Sequence, residues 1–239
     1  SYMITNKVIF DILLSDIQDQ EIKRVVVGLN WTLVETRFGC GLASTPGRKN
    51  ALCLPITGAG DLTQLTTASA AELVRSKNPV EVSIGMATIN SFYNRYDLVA
   101  KNKNGLDTFL NIEGPITVIG RFPGLSKRFK NIRVIEKNPR KNEYSESDAA
   151  KLLPNSAAVI ITSSALLNGT AGNLIELSKN ARLCLVGPST PFAPKLLNLG
   201  IECLAGTIVT DLKKMIAAVS EGGDVKTFKP FGSFKTISR

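Results

Sequence analysis

The chain has 239 residues, 44% hydrophobic and 21% charged, which is enough for one large domain or two ordinary ones with a buried core. It contains no run of about 18 uninterrupted apolar residues, which excludes a transmembrane helix. Lys and Arg number 29 against 20 Asp and Glu, a net charge of +9, and histidine is absent. The absence of histidine excludes Ser-His-Asp and Cys-His catalysis, HExxH zinc sites and proton transfer by imidazole.

The predicted elements of the first part of the chain form an α+β domain, to which we assign residues 1–110. In chain order they are a helix through about residue 18, strands and a turn within Arg24–Thr36, a strand at Gly39–Ala43, a loop over Arg48–Thr67, and helices over Ala68–Lys77 and Pro79–Tyr93. Asn78 as N-cap and Pro79 as first helical residue favour the start of the last helix.

The second part, residues 111–239, alternates short apolar strands with helices. The strands are predicted at Ile116–Ile119, Ile132–Ile135, Ala157–Ile161, Leu183–Val186 and Ile201–Leu204. Helices are predicted near Glu146–Leu153, Gly172–Leu177, Pro194–Leu199 and Asp211–Val219. This alternation predicts a Rossmann-like parallel sheet with helices on both faces, and therefore an α/β fold class for the whole chain.

Small and polar residues follow four of these strands, at the edge of the sheet where ligands of open parallel sheets collect. The first strand runs into Gly120–Gly124, a GxxxG turn that falls short of the GxGxxG dinucleotide motif. The second ends at Glu136, whose carboxylate either accepts hydrogen bonds from ribose hydroxyls or pairs with Arg133 or Lys137. The third and fourth lead into Thr162–Thr170 and Gly187–Pro191.

In the last two loops, hydroxyls and backbone N–H groups lie beside the start of a helix. They have two possible roles, which are to bind a phosphate or carboxylate ligand and to cap the helix. We predict ligand contacts at Gly120, Arg121, Gly124, Glu136, Thr162, Ser164, Asn168, Thr170, Gly187, Ser189 and Thr190. Asn168 and Thr170 would orient a carbonyl or a heterocycle. The hydroxyls would bind anions rather than act as nucleophiles, because no activating base is visible.

The excess positive charge lies in the second part of the chain. Residues 1–113 carry eleven basic and eleven acidic side chains, whereas residues 114–239 carry eighteen and nine. Eight basic residues and one acid fall within Arg121–Lys141. Three interpretations of this basic stretch stay open. It binds nucleic acid, it steers an anionic substrate into a crevice, or it is a solvated face of the protein. Because it has only Phe122 and Phe129 as aromatics, we do not expect a nucleic-acid partner, and Arg121 is the residue we expect to touch a ligand.

The cysteines Cys40, Cys53, Cys184 and Cys203 are scattered and form no CxxC pair. Cys184 and Cys203 fall in apolar strand-like runs, where cysteine acts as a small buried hydrophobe. With no signal-peptide pattern at the N-terminus, we expect a reduced, cytoplasmic compartment and no membrane attachment. A homodimer is compatible with the sequence, although no feature demonstrates one.

The chain resembles a prokaryotic family of unknown activity associated with heavy-metal chelation. The matching stretches are Val27–Thr32, Gly39–Ala43, Asn78–Asn90, Ile161–Thr170, Gly187–Pro191 and Ala205–Thr207. The resemblance implies an enolase-N-terminal-like domain followed by a Rossmann-like domain. It also implies a site between them that is similar in part to that of Rossmann-like methyltransferases, with a role in making pterin-, flavin- or siderophore-like chelators.

Glu81 lies in one of these stretches, and its position suggests a catalytic residue facing the crevice, as a general base or a metabolite ligand. Its alternative role is to cap the helix through the backbone of Asn78. The sequence does not identify a cofactor, because the GxGxxG motif of typical Rossmann domains is missing. No metal ligands are predicted either, because there is no His/Cys cluster, so that a small-molecule chelator would be the better ligand for any metal.

Together these features predict a two-domain α/β protein that binds a small anionic or heterocyclic metabolite in an interdomain cleft and acts on it as an enzyme. Two alternatives stay open. The protein could be a non-enzymatic binder of a metal–metallophore complex, or a methyltransferase-like enzyme that uses a nucleoside cofactor.

Overall fold

The computed structural model describes residues 3–47 and 54–239 and has a mixed α/β fold with two β-sheets. A three-stranded antiparallel sheet comes from the first part of the chain, and a seven-stranded, mostly parallel sheet comes from the second. The α/β fold class is confirmed, while the division at residues 110 and 111 stays a prediction. Residues 48–53, which include Cys53 and the start of the predicted loop, lie outside the described residues.

The first part begins with helix α1 and the small sheet. Its elements are α1 (Asn6–Ser15), β1 (Ile22–Val27), β2 (Trp31–Thr36) and β3 (Cys40–Ser44). A hairpin turn at Gly28 joins β1 to β2, where the Gly28 N–H donates to the Trp31 carbonyl at 2.9 Å. The turn lies where the sequence predicted it, between two β-branched runs.

The predicted helix Ala68–Lys77 is in fact two short segments, α2 (Thr67–Ala71) and a 3-10 helix at Glu72–Arg75. The next helix, α3 (Pro79–Tyr93), has the predicted bounds, and the Asn78 side chain caps it by accepting from the Val80 N–H at 3.0 Å. Twelve of the fifteen residues of α3 are buried, because other elements cover it on nearly every side.

The second part forms the seven-stranded sheet. Its strands are β4 (Ile116–Ile119), β5 (Ile132–Glu136), β6 (Tyr144–Ser145), β7 (Ala158–Thr162), β8 (Arg182–Val186), β9 (Cys203–Val209) and β10 (Gly232–Ser238). Their spatial order is β10-β9-β8-β7-β4-β5-β6, and all neighbours are parallel except β9 and β10. The strand order reverses between β4 and β7, the Rossmann-like switch point where ligands of such sheets bind.

The helices of the second part are short. They are α4 (Leu125–Arg128), α5 (Ala149–Leu152), α6 (Ala171–Leu177), α7 (Leu212–Ser220) and α8 (Val225–Phe228), with 3-10 turns at Glu146–Asp148, Leu153–Asn155, Ser163–Leu166, Pro194–Leu199 and Lys229–Phe231. A further 3-10 turn at Gly105–Phe109 ends the first part. Among residues 3–47 and 54–239, no helix has the length and apolar character needed to cross a bilayer.

The last parallel strand differs from the prediction. It covers Cys203–Val209 rather than Ile201–Leu204, because β10 pairs with it antiparallel along its whole length. The sequence did not predict β10. Cys184 and Cys203 are buried and opposite each other on β8 and β9, which confirms them as core residues, and Cys40 is buried as well.

A seam of buried amides joins the two parts of the chain. The Asn90 side chain on α3 donates to the carbonyls of Leu42 at 2.8 Å and Ser189 at 2.9 Å. One turn later, Asn94 donates to the Thr190 carbonyl at 3.0 Å and accepts from the Phe192 N–H at 2.9 Å. Both asparagines are at most 1% exposed, so these bonds fix the loop after β8 against α3 without competition from water.

Helix α1 makes a second joint, because it packs on α6 and on the 3-10 helix Pro194–Leu199. The Asn6 side chain accepts from the Gly172 N–H at 2.9 Å and donates to the Gly169 carbonyl. A Cβ atom at Gly172 would lie 2.6 Å from the backbone nitrogen of Asn6, so only glycine lets the start of α6 lie this close to the start of α1. One hydrophobic cluster consequently runs from α1 and α3 into the large sheet.

Gly41 on β3 provides a test of how closely α3 packs on the small sheet. A Cβ atom there would lie 1.9 Å from the Ala87 carbonyl oxygen on α3, and backbone atoms on both sides leave it no room to shift. We expect Gly41→Ala to lower the free energy of unfolding by about 3 kcal/mol or more, measured by urea denaturation. Gly47→Ala is the control, because a Cβ there meets nothing within 4 Å. Equal stability of the two variants would contradict this packing.

Candidate ligand-binding cleft

A cleft of about 780 Å³ opens between the two parts of the chain. The first part contributes α1, the end of β3, the connection between α2 and α3, and the first turns of α3. The second part contributes Lys137, directly after β5, and residues of the loop after β7. The cleft therefore lies at the carboxyl edge of the parallel sheet, where ligands of this topology bind.

Two of the predicted ligand contacts, Ser164 and Asn168, line this cleft. Their loop is fixed at its start, where the Thr162 hydroxyl accepts from the Ser164 N–H at 3.4 Å. Leu166, Leu167 and Gly169 complete this wall. The structure thus brings the loop after β7 to the cleft, opposite residues of the first part that the sequence analysis did not single out.

Thr170 orients the side chain of Asn168. The Thr170 hydroxyl donates to Asn168 Oδ1 at 2.6 Å, and the Thr170 N–H donates to the same oxygen at 3.1 Å. A backbone N–H can only donate, so the amide oxygen of Asn168 must face it. The Asn168 Nδ2 group, which has no partner among the described residues, is left to donate elsewhere.

The cleft is positively charged. Four cationic side chains line it, namely Lys7, Arg75, Lys77 and Lys137, and none of its described lining residues is Asp or Glu. Asp11 of α1 pairs with Lys7 at 2.7 Å and with Arg75 at 2.5 Å, and these hydrogen bonds hold its pKa below the usual range. Within the described part of the chain, the ammonium groups of Lys77 and Lys137 form no ion pair. The Glu136 carboxylate, next to Lys137 in the chain, accepts from the Lys137 backbone N–H at 3.1 Å.

Glu81 lies just behind the cleft and is only 7% exposed. Its carboxylate accepts from the Ser76 hydroxyl at 2.7 Å and from the Thr57 N–H at 2.9 Å. It does not bond the Asn78 backbone directly, because Ser76 stands between them and accepts from the Asn78 N–H at 3.0 Å. The Thr57 and Ser76 hydrogen bonds lower the pKa of Glu81. Glu81 thus anchors the chain around Thr57, and its catalytic role stays a prediction.

A second depression of about 540 Å³ surrounds the loop after β4 and contains Arg121 and Gly124. Arg121 forms a two-pronged ion pair with Glu143, with N–O distances of 2.6 and 2.9 Å, and this pair lowers the pKa of Glu143 to about 2. Glu136 lies 4.0 Å from Arg121, which is thus its nearest ionic partner in place of Arg133 or Lys137. The charge of Arg121 is therefore already balanced within the protein.

Glycines shape the strand ends around both cavities. Gly120 has φ +103°, and a Cβ atom there would lie 3.1 Å from the side chain of Thr162, so the ends of β4 and β7 touch. Gly124 has φ +79° and caps α4, while Gly187 has φ +139° and lies against the Ser163 hydroxyl. At these three predicted positions glycine is used for backbone geometry.

Ser189 and Thr190 lie in the seam between the two parts and do not line the cleft. Both are fully buried, and the Ser189 hydroxyl accepts from the Ser44 N–H at 3.2 Å. The Thr190 hydroxyl has no partner among the described residues. Their contact with a ligand stays a prediction, while their visible role is to join the halves.

Part of the basic stretch Arg121–Lys141 serves the fold. Arg128 pairs with Asp107 at 2.8 Å. Arg133 donates to the hydroxyls of Thr117 at 3.2 Å and Ser156 at 2.9 Å. Lys137 is the one member of the stretch that reaches the described lining of the larger cleft.

The described residues do not fit a resident heavy-metal ion. Among them, no group of three or more His, Cys, Asp or Glu side chains is placed to hold a metal. The cleft offers ammonium groups, hydroxyls and an amide N–H₂, which repel a cation or bind it poorly. Cys184 lies against Cys203, but burial raises its pKa and so disfavours the thiolate that a metal requires.

The fold and the cleft define a two-part α/β protein with a positively charged crevice between its parts. The chain belongs to the DUF364 family, whose model matches residues 105–238 and is described as "Putative heavy-metal chelation". A second family model with the same description, DUF4213, matches residues 10–93. The resemblance inferred from the sequence is thereby confirmed.

Similar proteins share the fold. A DUF364 protein of unknown function from Desulfitobacterium hafniense has a TM-score of 0.87 at 29% identity, covering 97% of this chain and 98% of its own. A DUF364 protein from Pyrococcus horikoshii, also of unknown function, has a TM-score of 0.78 at 21% identity over both full chains. The uncharacterized protein MJ0500 of Methanocaldococcus jannaschii is 29% identical over 163 residues, and the match spans 63% of each chain.

If the Glu81 carboxylate anchors the chain around Thr57, the stability lost on its replacement should depend on pH. Its folded pKa lies below the ordinary value of 4.5, so its contribution to stability is present above about pH 4.5 and is lost as the pH falls through the folded pKa. We expect Glu81→Gln to lower the free energy of unfolding at pH 7 by about 1.5–3 kcal/mol, because a charged hydrogen-bond acceptor is lost. The difference from the wild type should shrink at acid pH.

Urea denaturation at several pH values measures this effect. Glu113→Gln serves as control, because Glu113 is exposed. A stability difference for Glu81→Gln that stays constant from neutral to acid pH would contradict the anchoring role of the carboxylate.

Proposed function

We propose that the protein binds a small anionic metabolite in the cleft between its two parts. The single observation that carries this proposal is the charge of the lining, which holds the unpaired ammonium groups of Lys77 and Lys137 and no acid among the described residues. Such a lining attracts anions and raises their local concentration. A volume of about 780 Å³ suits a molecule of pterin or flavin size.

The composition of the walls supports an aromatic or heterocyclic body for this metabolite. Phe10, Val74, Val82, Leu166 and Leu167 supply apolar surface, and the serines and Asn168 supply polar contacts. Apolar walls with a few placed polar groups are typical of small-molecule sites. A metal could enter such a cleft as part of a net-negative chelate, whose ligand atoms belong to the small molecule rather than to the protein.

If the protein is an enzyme that acts on this metabolite, its acid–base chemistry differs from that of histidine enzymes. Lys77 and Lys137 are the uncommitted titratable groups at the cleft, because Glu81 is bonded to Ser76 and Thr57. A lysine can protonate or orient a leaving oxygen. Turnover of a bound heterocycle, followed by mass spectrometry, would separate an enzyme from a binding protein.

Thermal unfolding with matched ligands tests the proposal. We expect a pterin carboxylate to raise the Tm of the wild type, and unsubstituted pterin to raise it less, because only the former pairs with the lysines. Either Lys77→Gln or Lys137→Gln, according to which lysine pairs with the single carboxylate, should weaken its binding by about three- to fivefold, since an exposed ion pair contributes up to about 1 kcal/mol. Lys213→Gln, an exposed charge on α7 outside the cleft, is the matched control.

Other ligands in the same assay separate the alternatives. A Tm shift with metal salts alone would contradict an anion site, whereas a shift with a metal only when a chelator is present would favour the binding of a metal complex. A shift with S-adenosylmethionine that is lost in Glu136→Ala would favour a methyltransferase-like enzyme. Equal loss of carboxylate binding in Lys213→Gln would show that bulk charge, not the cleft, is responsible.

A further inference from the structure

The two uncommitted ammonium groups of the cleft come from different parts of the chain. Lys77 lies in the connection between α2 and α3, and Lys137 lies after β5 at the edge of the large sheet. Lys7 and Arg75, by contrast, share the carboxylate of Asp11. The cleft therefore has one unbalanced positive charge on each of its two sides.

The side of Lys137 presents further donors. Asn168 must direct its N–H₂ group away from Thr170, because both the hydroxyl and the backbone N–H of Thr170 occupy its oxygen. The Ser164 hydroxyl lines the same wall and has no partner among residues 3–47 and 54–239. The Asn168 N–H₂ group and the Lys137 ammonium group can only donate, so a carboxylate or phosphoryl oxygen pairs with them, whereas an amine or an amide N–H does not.

The lining of the cleft also includes apolar side chains, among them Phe10 of α1 and Leu167 of the loop after β7. Both are half-buried, so part of each side chain is accessible to a ligand. An apolar or planar core would contact these side chains, while polar groups at its ends would meet the lysines. One unpaired ammonium group from each part of the chain, with apolar side chains in the same lining, is complementary to a molecule with two separated acids.

We infer that the ligand of the cleft carries two acidic groups on a flat or apolar core, one facing Lys77 and the other facing Lys137 and the Asn168 amide. This inference rests on the proposed function and narrows it, because the ligand must bridge the two parts of the chain. A ligand with a single acidic group would use one lysine only. The two lysines would then contribute unequally to its binding affinity, and this difference distinguishes a one-acid ligand from a two-acid ligand.

Benzene carboxylates are suitable probes, because one rigid ring carries one acid in benzoate and two acids in phthalate, isophthalate and terephthalate. Their affinities are measured by titration calorimetry at low salt. We expect at least one dicarboxylate to bind about tenfold more tightly than benzoate. Lys77→Gln and Lys137→Gln should each remove most of that advantage, while Lys213→Gln should leave it unchanged.

The outcomes separate the inference from the proposed function. If benzoate binds as tightly as every dicarboxylate and both lose affinity in the lysine variants, the cleft binds anions but the two-acid inference is overturned. The inference also fails if only one of the two lysines affects the dicarboxylate. If no benzene carboxylate binds, both the inference and the proposed function are contradicted. Lys77 and Lys137 are exposed, so unfolding curves that match the wild type confirm that the variants are folded.

Discussion

The hydrogen bonds of Asn90 and Asn94 to the loop after β8 are the contact on which the arrangement of this protein depends. Asn90 lies in the last turn of α3, and Asn94, directly after Tyr93, caps the C-terminal end of the same helix. They hold backbone groups of Leu42, Ser189, Thr190 and Phe192 in a region closed to water. Because an unpaired buried amide is costly, this seam fixes α3 and the small sheet against the large sheet.

The cleft is a consequence of that seam. With α3 fixed at its C-terminal end, its first turns stand beside the carboxyl edge of the large sheet, and α1 closes a further side through Asn6. The basic side chains fall into two groups, those paired within the fold and those that face the cleft. Arg121, Arg128 and Arg133 are engaged within the fold, whereas Lys77 and Lys137 face the cleft unpaired in the described part of the chain. The family description of heavy-metal chelation is therefore compatible with a chelating small molecule, whereas side chains among residues 3–47 and 54–239 form no group that could hold a metal.

The sequence predicted the elements that local signals define and missed those that depend on tertiary contacts. Helix α3 starts where Asn78 and Pro79 indicated, because a cap and a first-turn proline act locally. Strand β10 is partly polar and is stabilised by pairing with β9, so its pattern alone was not distinctive. At the site, Ser164 and Asn168 were predicted from strand-end chemistry. Lys7, Arg75 and Lys77 were not, because they reach the cleft only through the packing of α1 and α3 on the large sheet.

A crystal structure of the protein soaked with triiodoisophthalate would show whether the cleft binds a two-acid ligand. Anomalous scattering locates the three iodine atoms, and the two carboxylates identify the charges that hold the molecule. We expect an iodine triangle inside the cleft, with one carboxylate at Lys77 and the other at Lys137. Iodine peaks in the depression beside Arg121, or scattered over the surface with none in the cleft, would contradict it.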